Sequence, residues 1–456
     1  MDWDKLFSSK RLGGFSKSPD SRPGKATEGR SEFQKDFDRV VFSTEFRRLQ
    51  NKTQVVPLPE NDFVHTRLTH SLEASCVGRS LGKIVGDRVI RSNETYFTEL
   101  GVTASDFEAV VAAACLAHDI GNPPFGHSGE EAISEYFRSQ KAVKFLDGLS
   151  EKQIADLQNF EGNAAGFRLL TYTSPSHSEI NFGLGLTFAT LGAFTKYPKE
   201  SLPVLQESRN ASEKKYGFFQ SEQEVFKEIA AELGLLLKAD GADYGWHRHP
   251  LAFLVEAADD ICYSIVDLED GYKLGRVGFR TTEDFLLAII GKSFTKLESN
   301  YKKIIDEKEK IGFLRALAIN KLIWQCADLF SENAAGILSG SFDSHMTDGI
   351  PATPTLVEIE RLSVKDIYKA QPIIEIEIAG FEVLAGLLDV FLNAIFNTES
   401  KYFQMVCQLL PDKCFDKDRK VFTDRYLNII AVIDFVAGLT DNSAIGLYKK
   451  IKGISL

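Results

Sequence analysis

The 456-residue chain is long enough for two or three packed parts around a large core, and its 44 % hydrophobic content is that of an ordinary globular protein. Its 64 acidic and 53 basic residues give a net charge of −11, which argues against duplex nucleic acid as the main partner and leaves single-stranded DNA open through a local basic patch. No apolar run approaches the ~18–20 residues of a membrane span. The Met1-Asp2-Trp3-Asp4 start is no signal peptide, and the six Cys form no Cys-x-x-Cys pair, so reduced thiols in a cytoplasmic protein are expected.

Residues 1–30, with Lys10-Arg11 and Arg22-Pro23-Gly24-Lys25, read as an arm ordered only against a neighbour. Residues 32–50 turn helical, 51–63 form a loop, and 66–85 return to helix with Leu68, Leu72, Cys76, Leu81 and Val85 inward. A helix over 106–116 is apolar almost all round and should be buried. Further helices are predicted over 132–145, 154–170, 184–194, 222–237, 251–268 and 282–337, and last over 381–396, 403–409 and 423–439. Residues 373–378 alternate Ile and Glu with period two and could form a short ribbon. The expected fold is all-α, with at most that ribbon of β structure.

The chain is organised around Ala117-His118-Asp119-Ile120-Gly121-Asn122-Pro123-Pro124-Phe125-Gly126-His127. His118 and Asp119 end a core helix, an expensive place for a carboxylate without a cation. Gly121 and the two prolines stop that helix. Ser128 looks like the next N-cap, with Glu131 completing a capping box. That puts His127 just ahead of a helix N-terminus, where an anion such as phosphate is favoured. His70 lies near the start of its own helix. Asp259, Tyr263 and Asp267 share one helical face at i, i+4 and i+8. Two imidazoles and two carboxylates, His70, His118, Asp119 and Asp259, would satisfy one divalent ion, which could be Mn, Mg, Fe, Ni or Zn. A lone His-Asp dipeptide is more often a buried pair capping a helix, and Tyr263 reads equally as core packing.

The flanks reverse those odds. His70…His118-Asp119…Asp259 resembles the H…HD…D signature of HD-domain metal phosphohydrolases. Phe46–Val55, Thr66–Glu73, Ala117–Glu130, Phe160–Ala164, Lys215–Glu222 and His249–Tyr263 resemble the dGTPase-type deoxynucleoside triphosphate triphosphohydrolases. The likeness is strong over residues 30–275 and weaker through Val436–Asp441. It implies an HD-domain catalytic core over 31–280 and a C-terminal helical region over 281–456 that packs on it and forms oligomers, hexamers or tetramers. It implies hydrolysis of a dNTP, dGTP by default, to deoxynucleoside and triphosphate by water attack at the α-phosphorus.

The same resemblance assigns the site residues. His70, His118, Asp119 and Asp259 would hold the ion, and His127 and Glu130 would be catalytic. Gln54, Val55, Arg67, Asn163, Lys196, Lys215, Tyr263, Asp267 and Arg425 would bind substrate, Arg425 in the same or a neighbouring subunit. Tyr263 would stack on the sugar and Asp267 accept from the 3′-hydroxyl. Three departures stand out: Asp260 where animal relatives have Lys, Asn122 where some relatives have His, and Gly185 where many bacterial relatives have Asn. Two rival functions are an HD phosphodiesterase on another nucleotide and a nucleotide-sensing scaffold without activity; the intact four-residue set weighs against the second.

Overall fold

A computed structural model describes residues 1–14, 29–54, 65–172, 183–203, 210–238, 245–368, 371–397 and 399–454. Among these the protein is α-helical, with 22 α-helices and β-pairing confined to four isolated bridges. The expected all-α class holds, but the ribbon does not exist. Residues 373–378 lie inside a helix, Gln371–Phe396. The element begins with exposed Ile374, Glu375 and Ile378 beside half-buried Ile376 and Glu377, and its later half buries Leu384, Leu387, Leu388, Phe391 and Leu392 at helical spacing. Of this helix, Ile374–Phe396 is long and apolar enough by length and composition to cross a membrane, which corrects the expectation that no run reaches that length. Half of that stretch is buried inside the chain.

Two central helices set the distance on which the site depends. Arg67–Ser92 begins at Thr66, whose hydroxyl accepts from the Thr69 amide. It packs along Ala104–Ala117, whose side chains are nearly all buried. Gly78, Gly82 and Gly86 line the contact at i, i+4 and i+8. A Cβ on Gly82 would lie 2.8 Å from the Phe107 carbonyl oxygen, so only glycine permits this approach. The third long helix, Ala252–Lys273, lies across Arg67–Ser92.

Several expected helices are broken. A capping Ser43 splits 32–50 into Glu32–Val41 and Thr44–Arg48. Glu161, as N-cap, splits 154–170 into Glu151–Gln158 and Gly162–Thr171. The 282–337 stretch is interrupted between Phe279–Ile290 and Glu307–Glu332. The helix after the prolines starts at Gly126, not beyond Ser128, because Phe125 and Gly126 take left-handed φ of 65° and 60°. His127 therefore sits within the first turn.

Residues 1–14 do not wait for a neighbour. Trp3, Leu6 and Phe7 are buried, with the Trp3 ring against Phe97 and Phe107. Arg11 is buried on Asp36 at 2.6 Å, and Asp36 also accepts from the Thr187 amide and the Thr190 hydroxyl.

Two apolar clusters form the interior. One joins the N-terminal segment to the central helices and the region up to Ile367; the other joins the 125–219 region to residues 383–444. They meet at the 118–125 turn, where Ile120 belongs to the first and Phe125 to the second.

Candidate active site

Three helices deliver the expected ligands. His70 comes from the first turns of Arg67–Ser92, His118 caps Ala104–Ala117, and Asp259 lies in Ala252–Lys273. The glycine contact between the first two helices brings the His70 and His118 rings to 5.2 Å between centroids. His70 Nε2 and His118 Nε2 approach Asp259 Oδ1 at 3.0 and 3.3 Å. One ligand atom from each of these three residues falls within 4.8 Å of the others, which suits a single ion. His118 Nδ1 donates to the Cys115 carbonyl at 2.7 Å, so its Nε2 carries the lone pair toward the cluster.

Asp119 stands beside the other three rather than among them. Its Oδ1 is 3.5 Å from His118 Nε2, while Arg67 holds Oδ2 at 2.9 Å and the Asn122 amide donates to Oδ1. Enclosure would push both carboxyls up. For Asp119, Arg67 and then His118 outweigh it; for Asp259, Lys196 and then His118 do so; both stay below the usual carboxylate range. Burial opposes charge on His118, but Asp119 and Asp259 raise it above its usual value. Two ionised carboxylates facing two imidazoles are a donor set that fits a divalent cation.

Above the cluster opens a cavity of about 480 Å³. Gln54, Arg67, His118, Asp119, His127, Asn163, Lys196, Lys215, Asp259 and Tyr263 all line it. Lys196 donates to Asp259 Oδ2, an ion pair rather than a free phosphate contact. Lys215 Nζ is 3.2 Å from Glu161, which also accepts from the Asn163 amide at 2.7 Å. Arg67 Nε and Gln54 Oε1 are buried without a hydrogen-bond partner, one donor and one acceptor that a ligand would complete.

His127 keeps an 80 % exposed side chain at the cavity edge. Its Nδ1 meets Glu130 Oε2 at 2.8 Å, and Glu130 Oε1 accepts from the Gly162 amide at 2.8 Å. Burial would raise the Glu130 carboxyl, but His127 and Lys215 hold it below its usual value. An ionised Glu130 fixes Nδ1–H as the donor and turns His127 Nε2 to the cavity.

Two expected contacts are placed elsewhere, and a third is not described. Asp267 is buried and does not line the cavity. Arg425 donates through Nε to the Phe145 carbonyl at 2.9 Å and lies over the Phe396 ring, away from the cavity of its own chain. Asp260, which stands where animal relatives have Lys, lines the cavity but turns its carboxyl to the Thr347 hydroxyl at 2.8 Å, and burial with Glu256 and Asp259 beside it raises that carboxyl to about 7. Val55 lies outside the described residues. The polar lining residues with no contact expected from the sequence include Thr53, Asn122, Ser128, Tyr197 and Glu377. Glu377 is hidden in the supposed ribbon, whereas Asn122 is visible as a polar residue between the His-Asp pair and the prolines.

The HD domain family matches residues 67–159, which contain His70, His118, Asp119, His127 and Glu130. Over its whole length the chain is 42 % identical to a deoxyguanosinetriphosphate triphosphohydrolase-like protein of Synechocystis, covering all of that protein. A protein of the same description from Pseudomonas aeruginosa is 36 % identical, with all of this chain and 99 % of that one aligned. The deoxyguanosinetriphosphate triphosphohydrolase of Yersinia pseudotuberculosis is 33 % identical over 82 % of this chain and 79 % of its own. Fold and cluster thus define an HD-domain hydrolase. Within that class, the chain belongs to the deoxyguanosinetriphosphate triphosphohydrolase-like family.

Proposed function

We propose that this chain hydrolyses a deoxynucleoside triphosphate, dGTP by default, to the deoxynucleoside and inorganic triphosphate, with one divalent cation. The observation that carries the reading is the floor of the cavity. His70, His118 and Asp259 converge there, and His118 and Asp259 line the cavity together with Arg67, Lys196, Lys215 and His127.

His70, His118 and Asp259 would hold the cation, with Asp119 the fourth ligand once its Oδ1 turns from Asn122. Bound there, the ion supplies a Lewis acid that polarises a phosphate oxygen and activates water. The chain's own groups do the rest. Arg67 has an unpartnered Nε beside the cluster and offers it to the phosphate nearest the ion. Lys215 and Asn163, both fastened to Glu161, face the remaining phosphates. His127 Nε2, protonated, donates to the leaving 5′-oxygen while Glu130 steadies the imidazolium through Nδ1. Tyr263, 40 % exposed on the cavity wall, offers a ring face to the sugar. A ring packed at C2′ leaves no room for a 2′-hydroxyl. Gln54 and Glu377 offer acceptors on the cavity wall to the base, and a carboxylate suits the N1–H and amino donors of guanine.

The test is incubation with each dNTP and each NTP in Mn or Mg, with products resolved by ion exchange. Inorganic triphosphate from dNTPs, dGTP above the rest, is the expected result. Pyrophosphate, or no product with any divalent ion, would refute the reading.

A further inference from the structure

The Val436–Asp441 segment reaches the cavity from the far end of the chain. Asp441 is 1 % exposed and opens the Asp441–Lys452 helix. That helix already has its cap, since Thr440 accepts from the Ser443 amide. The Asp441 carboxylate turns the other way. Oδ2 accepts from the Thr53 amide at 3.1 Å and the Thr53 hydroxyl at 2.6 Å, and Oδ1 accepts from the Phe125 amide at 3.1 Å. Thr53 and Phe125 both line the cavity. Lys52 adds a parallel tie: its buried ammonium donates to the carbonyls of Ala437, at 2.8 Å, and Asn122.

The two segments so joined carry chemistry. Gln54 follows Thr53. His127 follows Phe125 by two residues, and Arg67 lies against Gly126, where a Cβ would meet its guanidinium at 2.7 Å. Phe125 is a non-glycine residue in the left-handed region, a conformation its surroundings must hold. Its amide has Asp441 as partner, and its ring packs at Gly380, where a Cβ would stand 2.9 Å away.

We propose that Asp441 is a positioning residue for the catalytic cavity, one carboxylate oxygen holding the Gln54 segment and the other the turn that presents His127. The inference rests on the dNTP hydrolase reading for its kinetic consequence but not for its geometry. The cation cluster lies on other helices and does not depend on this tie.

The experiment compares wild type, Asp441→Asn, Asp441→Ala and Thr440→Ala in the full-length protein. An Asn amide offers one acceptor oxygen, so one segment is released. In Asp441→Asn the rate of triphosphate release at saturating substrate should fall by about 10²-fold, the scale of a small misplacement of catalytic groups. Mn affinity by calorimetry should stay within about twofold, a fraction of one factor of ten. Hydrogen exchange at the Phe125 and Thr53 amides should accelerate in Asp441→Ala and not in Thr440→Ala. Thr440→Ala loses the helix cap alone and should lower Tm with turnover unchanged. Two results would overturn the proposal: slow exchange at both amides in Asp441→Ala, or loss of Mn binding in step with turnover in Asp441→Asn. The exchange measurement needs no turnover, so it decides the clamp even if wild type hydrolyses no dNTP.

Discussion

On the deep side of the cavity, His70, His118 and Asp259 project from long helices packed through a glycine contact and a largely apolar, buried neighbour. On the rim, Gln54 follows an isolated bridge residue, His127 sits in the first turn after a left-handed residue, and Glu377 lies half-buried in the N-terminal part of a helix. The deep side is held by packing that runs through the backbone of whole elements. The rim is held by individual carboxylates: Glu130 for His127, Glu161 for Lys215 and Asn163, Asp441 for the turn. Damage to the deep side should therefore cost the ion, and damage to the rim should cost rate while sparing the ion.

The largest effect expected is at Asp259. Replacing it with Ala removes the oxygen that both imidazoles approach, and metal content after dialysis should fall to background together with turnover. Asp260→Ala, one residue away but turned to Thr347, should keep the metal. Equal metal loss in the two variants would place the wrong carboxylate in the cluster. On the rim, Glu130→Gln leaves His127 without a charged partner. Turnover should then slow by roughly 10²–10⁴-fold, the usual range for a positioned acid–base pair, with metal content unchanged. Loss of metal in that variant would erase the distinction between the two sides.

This division also separates what the sequence discloses from what it hides. The ligand helices are legible because long apolar periodicity places them and because His118-Asp119 is an odd pair to bury. Helical spacing puts Arg67 on the His70 face and Tyr263 on the Asp259 face, while their roles come from the family resemblance; the same spacing also points to Asp267, which does not line the cavity. The rim is harder. The start of the Gly126–Arg138 helix turns on left-handed angles at Phe125, which no residue type there announces. Glu377 is lost because six alternating residues imitate a strand when read without the apolar face that follows. Asp441 touches Thr53 from 388 positions away, a distance at which local pattern carries no information.

Acid offers a way to sharpen the comparison without touching a ligand. His249 is buried, donates from Nε2 to the Leu6 carbonyl at 3.1 Å and accepts at Nδ1 from the Leu251 amide at 3.1 Å, so only its neutral form fits. Burial, opposed by the Leu6 bond, lowers it to about 4 from an ordinary 6.5. The folded value lies below the unfolded one, so stability is fully present above about pH 6.5 and is lost as pH falls toward 4. The loss is on the order of 3 kcal/mol, at 1.36 kcal/mol per unit. Because His249 ties the N-terminal segment to the start of the Asp259 helix, acid should loosen the deep side first. Urea midpoints at pH 7 and pH 5 should differ by clearly less in His249→Gln than in wild type. An equal difference in both would assign the acid sensitivity to other groups.

The smallest effect concerns Arg425, which the family resemblance sends toward the substrate and the structure sends to the carbonyls of Phe145 and Lys144. Its contacts are those of a local tie to the short Val143–Leu146 helix. Arg425→Ala should then cost about 1 kcal/mol of stability, the scale of a charge-assisted hydrogen bond and a ring contact. KM for a dNTP should stay unchanged at enzyme concentrations where the chain is monomeric. If KM rises instead, and does so only where chains associate, Arg425 acts in a neighbour's cavity. The rim would then have one support that packing within the single chain does not contain.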